Sequence, residues 1–181
     1  HEDDVVLRLY NAALENKFKY FINITADCPL FGYDYTDEIY SLLHNENADL
    51  VTSLNLPHGI FTYGIRTTAF KKVIDLKKTS DTEVWGDYFY NNPDIFKVSE
   101  LDVPVSKIRK EYRLTLDYPE DFEFFQAIFN HFGKETFKIS SDDIISFLDE
   151  NPDIVAINKD CKALYAKRWD AQRVANIEKN R

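Results

Sequence analysis

The run Tyr20-Phe21-Ile22-Asn23-Ile24-Thr25-Ala26-Asp27-Cys28-Pro29 begins with β-branched and aromatic side chains and ends on a proline. Such a short apolar run reads as a buried strand. Pro29 cannot donate to a ladder and holds Cys28 in extended backbone, so the strand gives way to a turn carrying Asp27. Directly downstream the period changes, and between Tyr35 and Asn45 the apolar residues Ile39, Leu42 and Leu43 share one helical face. Asp49 to Leu54 returns to a short strand. Strand, helix and strand in close succession point to a layered α/β fold with a mainly parallel sheet.

The flanks extend the pattern. Glu2-Asp3-Asp4 ahead of Val5, Val6, Leu9, Tyr10, Ala13 and Leu14 predicts an amphipathic helix with acids at the positive end of its dipole. His58 to Ile65 predicts a third strand, Thr67 to Leu76 a helix, and Glu83 to Tyr90 an aromatic-rich helix. Phe96 to Leu101 and Arg113 to Leu116 predict further strands. Pro119 to Phe132 has proline at its start, acids in its first turn, and Phe122, Phe125, Ile128 and Phe129 on one face, which predicts a helix. Ser140-Ser141-Asp142-Asp143 caps another, carrying Ile144, Ile145, Phe147 and Leu148. Residues 159–181 predict a charged, solvent-exposed C-terminal helix. No repeat or linker interrupts residues 1–181, which read as one domain.

Composition narrows the function. Hydrophobic residues make up 44% of the chain and the net charge is -9, so a core can form and phosphate backbones are repelled. Nucleic-acid binding is disfavoured, while a pocket for one small phosphate ligand is not. No apolar run is long enough to span a bilayer, and no signal core is present. Cys28 and Cys161 form no motif, which suits a reducing compartment, so the cytoplasm is expected. The five glycines stand apart, and none builds a phosphate loop.

Asp27 and Asp117 each follow a predicted strand, where α/β sheets place ligands. Side by side, they suit one Mg²⁺ completed by substrate phosphate oxygens; otherwise each caps a turn. Tyr63, Trp85, Tyr88 and Tyr90 are either pocket rings or core. Arg8, Arg66 and Arg113 are candidates for a phosphate or carboxylate, with surface pairing as the alternative.

Further motifs carry a resemblance. Ile24-Thr25-Ala26-Asp27-Cys28-Pro29-Leu30, Leu114-Thr115-Leu116-Asp117-Tyr118-Pro119-Glu120-Asp121-Phe122, Phe147-Leu148-Asp149-Glu150-Asn151-Pro152 and Ala156-Ile157-Asn158 stand in the order of the spore-coat polysaccharide (SpsF-type) cytidylyltransferase-like family. The opening helix, with Leu7, Arg8, Ala12 and Ala13, resembles that family too. The likeness covers nearly the whole chain. The family is related to the CMP-sugar-acid synthetases, which act on sialic-acid-like sugars and 3-deoxy-manno-octulosonate.

The resemblance implies a three-layer α/β/α fold like the nucleotide-diphospho-sugar (GT-A-like) transferases. It implies transfer of CMP from CTP to a sugar acid for surface glycans, with pyrophosphate released under Mg²⁺. Asp27 and Asp117 become the implied catalytic metal ligands. His58 and Tyr63, in His58-Gly59-Ile60-Phe61-Thr62-Tyr63, become sugar-side contacts, as does Glu83, although the residues after Glu83 depart from the family pattern. Arg8 is a further substrate-binding candidate. The family's first strands and glycine-rich nucleotide loop have no counterpart here, so the resemblance implies a chain lacking its N-terminal nucleotide-binding segment. A homodimer is expected by analogy. The alternatives are a non-catalytic sugar- or partner-binding module on the same fold, and an enzyme using another nucleotide.

Overall fold

The computed structural model describes residues 3–179, and side chains through Asp170; Glu2 of the opening acidic run lies outside the described residues. Strands β1 (Tyr20–Asn23), β2 (Leu50–Thr52), β3 (Tyr63–Arg66) and β4 (Val98–Glu100) form a sheet in the order β1-β3-β2-β4. The sheet is mixed, with a smaller parallel share than expected. β1, β2 and β4 run the same way, but the reversed β3 lies between β1 and β2, so the parallel ladder is β2–β4. The cause is the connection from β2 to β3, which contains no helix to carry the chain across the sheet.

Alternation along each strand feeds two cores. On one face Ile22 and Val51 meet Ile39 and Leu43 of α2 (Thr36–Asn45), with α5 (Pro119–Phe132) and α6 (Ser141–Glu150) behind them. On the other, Phe21, Leu50 and Ile65 pack on α1 (Val5–Glu15), α3 (Thr67–Leu76) and α4 (Gly86–Tyr90). The result is the expected three-layer arrangement. Gly64, opposite Ile22 and Val51, lets α2 sit close, because a Cβ there would overlap Ile39.

The caps follow the sequence. Asp4 accepts from Leu7 N at 3.1 Å and opens α1. Ser140 and Asp143 exchange side-chain-to-backbone bonds at 3.1 and 3.0 Å and open α6. The stretch predicted as a strand from His58 is one only from Tyr63, since Gly59 at φ +96° turns the chain away. Residues 113–116 form no strand. Arg113 makes a single bridge to His58, and Leu116 N then donates to Asp27 O at 2.9 Å. α7 (Pro152–Ile157) is a short helix absent from the sequence reading, and α8 (Cys161–Lys179) is the expected charged helix.

Candidate functional site

Because β1 and β2 point one way and β3 the other, the carboxyl ends of the first two and the start of the third share one rim. A cavity of about 520 Å³ opens there, lined by Asn23 of β1, Leu54 beyond β2 and Tyr63 of β3. Four predicted site residues, Asp27, His58, Tyr63 and Glu83, line it together. Trp85 and Tyr90 also line it, whereas Tyr88 packs against the second core. Arg8 does not reach it: the residue is exposed on α1. Asp117 is not among the lining residues, but it accepts from the lining Arg168, and its segment is joined to the Asp27 turn by the Leu116–Asp27 bond.

The wall is an arc of rings. Trp85 meets Tyr63 edge-on at 5.1 Å, and Tyr63 meets Phe61 at 5.7 Å. Phe61 stacks on His58 at 5.3 Å, His58 meets Tyr165 at 4.8 Å, and Tyr165 stacks on Trp169 at 6.0 Å. Tyr165 and Trp169 correct the expectation that the C-terminal helix faces solvent throughout. Tyr165, Arg168 and Trp169 recur at helical spacing and put one face of α8 against the site. That spacing was the available signal; the density of charge around it concealed the face.

Behind the arc lies a charge clamp. Arg113, 1% exposed, donates to both oxygens of the buried Asp121 at 3.0 and 2.9 Å and to Asp117 Oδ2 at 2.6 Å. Asn158 donates to Asp121 Oδ1 at 2.8 Å, and the backbone N–H groups of Asp117 and Tyr118 donate to Oδ2. Arg113 is thus committed inside the protein. Arg66 is likewise engaged, donating to the carbonyls of Ala48 and Leu43.

Burial, reinforced by the Arg113 charge, pushes the His58 imidazole down to about 4. The ring is therefore neutral at physiological pH. Since the unfolded chain takes up that proton first, near its ordinary 6.5, stability falls as pH drops from there toward 4. In a proton NMR titration the His58 signals are expected to stay at their neutral positions down to about pH 5, and a midpoint above about 6 would overturn the buried assignment. Burial also raises the hydroxyls of Tyr63 and Tyr165 and the Cys28 thiol, so none of them ionises near neutrality.

A larger depression of about 850 Å³ lies at the opposite end of the strands. Its cations are held by the fold, Lys72 by Asp49 and Lys97 by the Glu46 carbonyl, and of the sequence candidates it contains only the engaged Arg66 and Tyr90, which it shares with the smaller cavity. No helix among the described residues is long and apolar enough to cross a membrane. Nor do the described residues contain a group of three or more His, Cys, Asp or Glu that could hold a metal.

No protein-family model matches the sequence. An uncharacterized protein of Methanocaldococcus jannaschii is 32% identical over 165 residues, covering 89% of this chain and 66% of that protein. The spore coat polysaccharide biosynthesis protein SpsF of Bacillus subtilis is 25% identical over 154 residues, covering 84% of this chain and 64% of SpsF. The chain thus spans just under two thirds of each relative's length. A solved structure described as a cytidylyltransferase from Leptospira borgpetersenii serovar Hardjo-bovis shares the fold, with a TM-score of 0.75 at 23% identity, over 84% of this chain and 65% of that one. Motif order, similarity to SpsF and the shared fold agree in supporting a SpsF-type cytidylyltransferase-like family for this chain.

Proposed function

We propose that the protein is a cytidylyltransferase that moves CMP from CTP to a sugar acid for surface polysaccharide synthesis, releasing pyrophosphate. The observation that carries the reading is the cavity beyond the strand ends, where Asp27 and Glu83 meet the ring arc from Trp85 to Trp169. Flat faces of this kind suit a pyrimidine base or the apolar face of a sugar. In the proposed reaction the sugar oxygen bonds to the α-phosphorus as the bond to the pyrophosphate oxygen breaks. His58, neutral and stacked on Phe61, is suited to orient a hydroxyl.

The fold family implies Mg²⁺, and the donor chemistry fits it. Two carboxylates, Asp27 and Asp117, are a set that Mg²⁺ accepts when phosphate oxygens and water supply the rest. The fit carries one condition, because both Asp117 oxygens are already paired, Oδ2 with the buried Arg113 and Oδ1 with the exposed Arg168. Arg168 would have to yield. Bound there, the ion would neutralise charge on the transferring phosphate.

Calorimetric titration with CTP, ATP, GTP and UTP in Mg²⁺ tests the reading. CTP is expected to bind about tenfold more tightly than the others, and Asp27→Asn to lose about that factor. Equal affinity for all four nucleotides, or an unaffected variant, would exclude it.

A further inference from the structure

We propose that Arg168, on α8, is the residue by which the cavity recognises an oxyanion of its substrate, and that Asp117 holds it in reserve until that group arrives. The inference rests on the transferase reading of the cavity and adds to it a residue that recognises the substrate's charge.

The charges decide it. Asp27, Glu83 and Asp87 line the cavity, and Arg168 is the one Lys or Arg among the described lining residues. Among the described lining residues, a substrate carboxylate or phosphate therefore finds a Lys or Arg partner only on α8. The surroundings of Arg168 suit it to that role, since its guanidinium lies over the Tyr165 ring at 5.5 Å and Tyr165 itself packs on His58. Of the five N–H donors of a guanidinium, Asp117 Oδ1 takes one, at 2.9 Å. The remaining fork can meet an oxyanion in the paired geometry that arginine favours.

Asp117 can release this partner without becoming an uncompensated charge. Arg113 holds its other oxygen from the buried side, and Arg113 is itself fixed by Asp121. The two partners differ sharply in exposure, 1% for the Arg113 side chain and 53% for that of Arg168. The half-exposed pair is the weak and exchangeable one. When Arg168 turns to a substrate oxyanion, Asp117 Oδ1 becomes free for a divalent cation. Anion and cation binding should then strengthen each other.

The chain carries its own reporter, because both of its tryptophans, Trp85 and Trp169, line this cavity. Tryptophan fluorescence would be titrated with CMP and glucuronate as oxyanion probes, cytidine and glucose as their uncharged counterparts, and Mg²⁺ alone. The proteins are the wild type, Arg168→Gln and Arg168→Lys, each checked for folding by urea denaturation. Arg168→Gln is expected to weaken at least one oxyanion probe by about tenfold and to leave cytidine and glucose unchanged. Arg168→Lys should fall between, keeping the charge without the fork. A loss confined to CMP assigns the phosphate, and one confined to glucuronate assigns the sugar carboxylate. Mg²⁺ alone should bind Arg168→Gln several-fold more tightly than wild type, since its competitor is gone. Unchanged oxyanion binding in Arg168→Gln, no oxyanion binding by the wild type, or Mg²⁺ binding that does not tighten would each overturn the proposal. If Arg168-dependent binding is found but CTP never yields pyrophosphate, the transferase reading fails and the recognition role stands.

Discussion

Replacing Arg113 with Met is expected to lower the unfolding free energy by about 3–5 kcal/mol, read from the midpoint of a urea titration. The arginine is the only cation touching Asp121, which is 0% exposed, among the described residues. It also neutralises Asp117 from within. Methionine matches much of its length but leaves the Asp121 carboxylate buried against Asn158 and two backbone N–H groups, with no positive charge. A buried pair broken on one side costs far more than the intact pair contributes, because the surviving charge has left water without compensation. Acid should act through the same carboxyl. Burial raises the Asp121 pKa, but hydrogen bonds from Arg113, the backbone and Asn158 outweigh it and hold the group below the ordinary 3.8. The clamp's contribution is therefore complete above that pH and disappears as pH falls through the folded-state value. A loss under about 1 kcal/mol in the Met variant would mean that the clamp is not a principal support of the fold.

Gly59→Ala is expected to cost about 2–4 kcal/mol, lowering the melting temperature by about 10 °C in a chain of this size. Gly59 has φ +96°, a conformation that side-chain-bearing residues rarely adopt. Its added methyl would also fall on the carbonyl of Leu114. That carbonyl cannot retreat freely, because Leu114 N is bonded to His58 O at 2.6 Å and the Leu114 side chain is fully buried. Both strain and clash fall where the His58 and Arg113 segments cross, beneath the cavity. A variant melting within about 2 °C of wild type would show that this crossing can open.

Much of the fold was legible because its signals are local. Thr67–Leu76 and Pro119–Phe132 form helices with the predicted bounds, since apolar spacing and capping residues are properties of neighbouring positions. What escaped the sequence was long-range. The direction of β3 depends on the path between β2 and β3, and residues 113–116 have the composition of a strand but no partner beyond one bridge. The site divides in the same way. Asp27, His58 and Tyr63 come together because each stands at a strand end or in the loop beside one, and Glu83 joins them from the turn before α4. Arg8 was a candidate partner for a phosphate or carboxylate on a helix that resembles the family's, yet it is exposed on α1, whose apolar face packs in the second core away from the cavity lining. The pairing of Asp117 with two arginines was not legible, because nothing local marks Arg113 as buried and Arg168 lies 51 residues away.

The two cores are built almost wholly from other elements, α8 giving them no described ring or aliphatic side chain, yet that helix supplies Tyr165, Arg168 and Trp169 to the cavity. Part of recognition is thus inherited on a stretch of the chain that adds little to either core, although Phe61, Tyr63 and Trp85 serve both. Most core substitutions are filtered by folding before their effect on binding can be selected. Exposed positions on α8 escape much of that filter, so natural variation there is free to change which molecule the cavity holds while the rest of the fold persists.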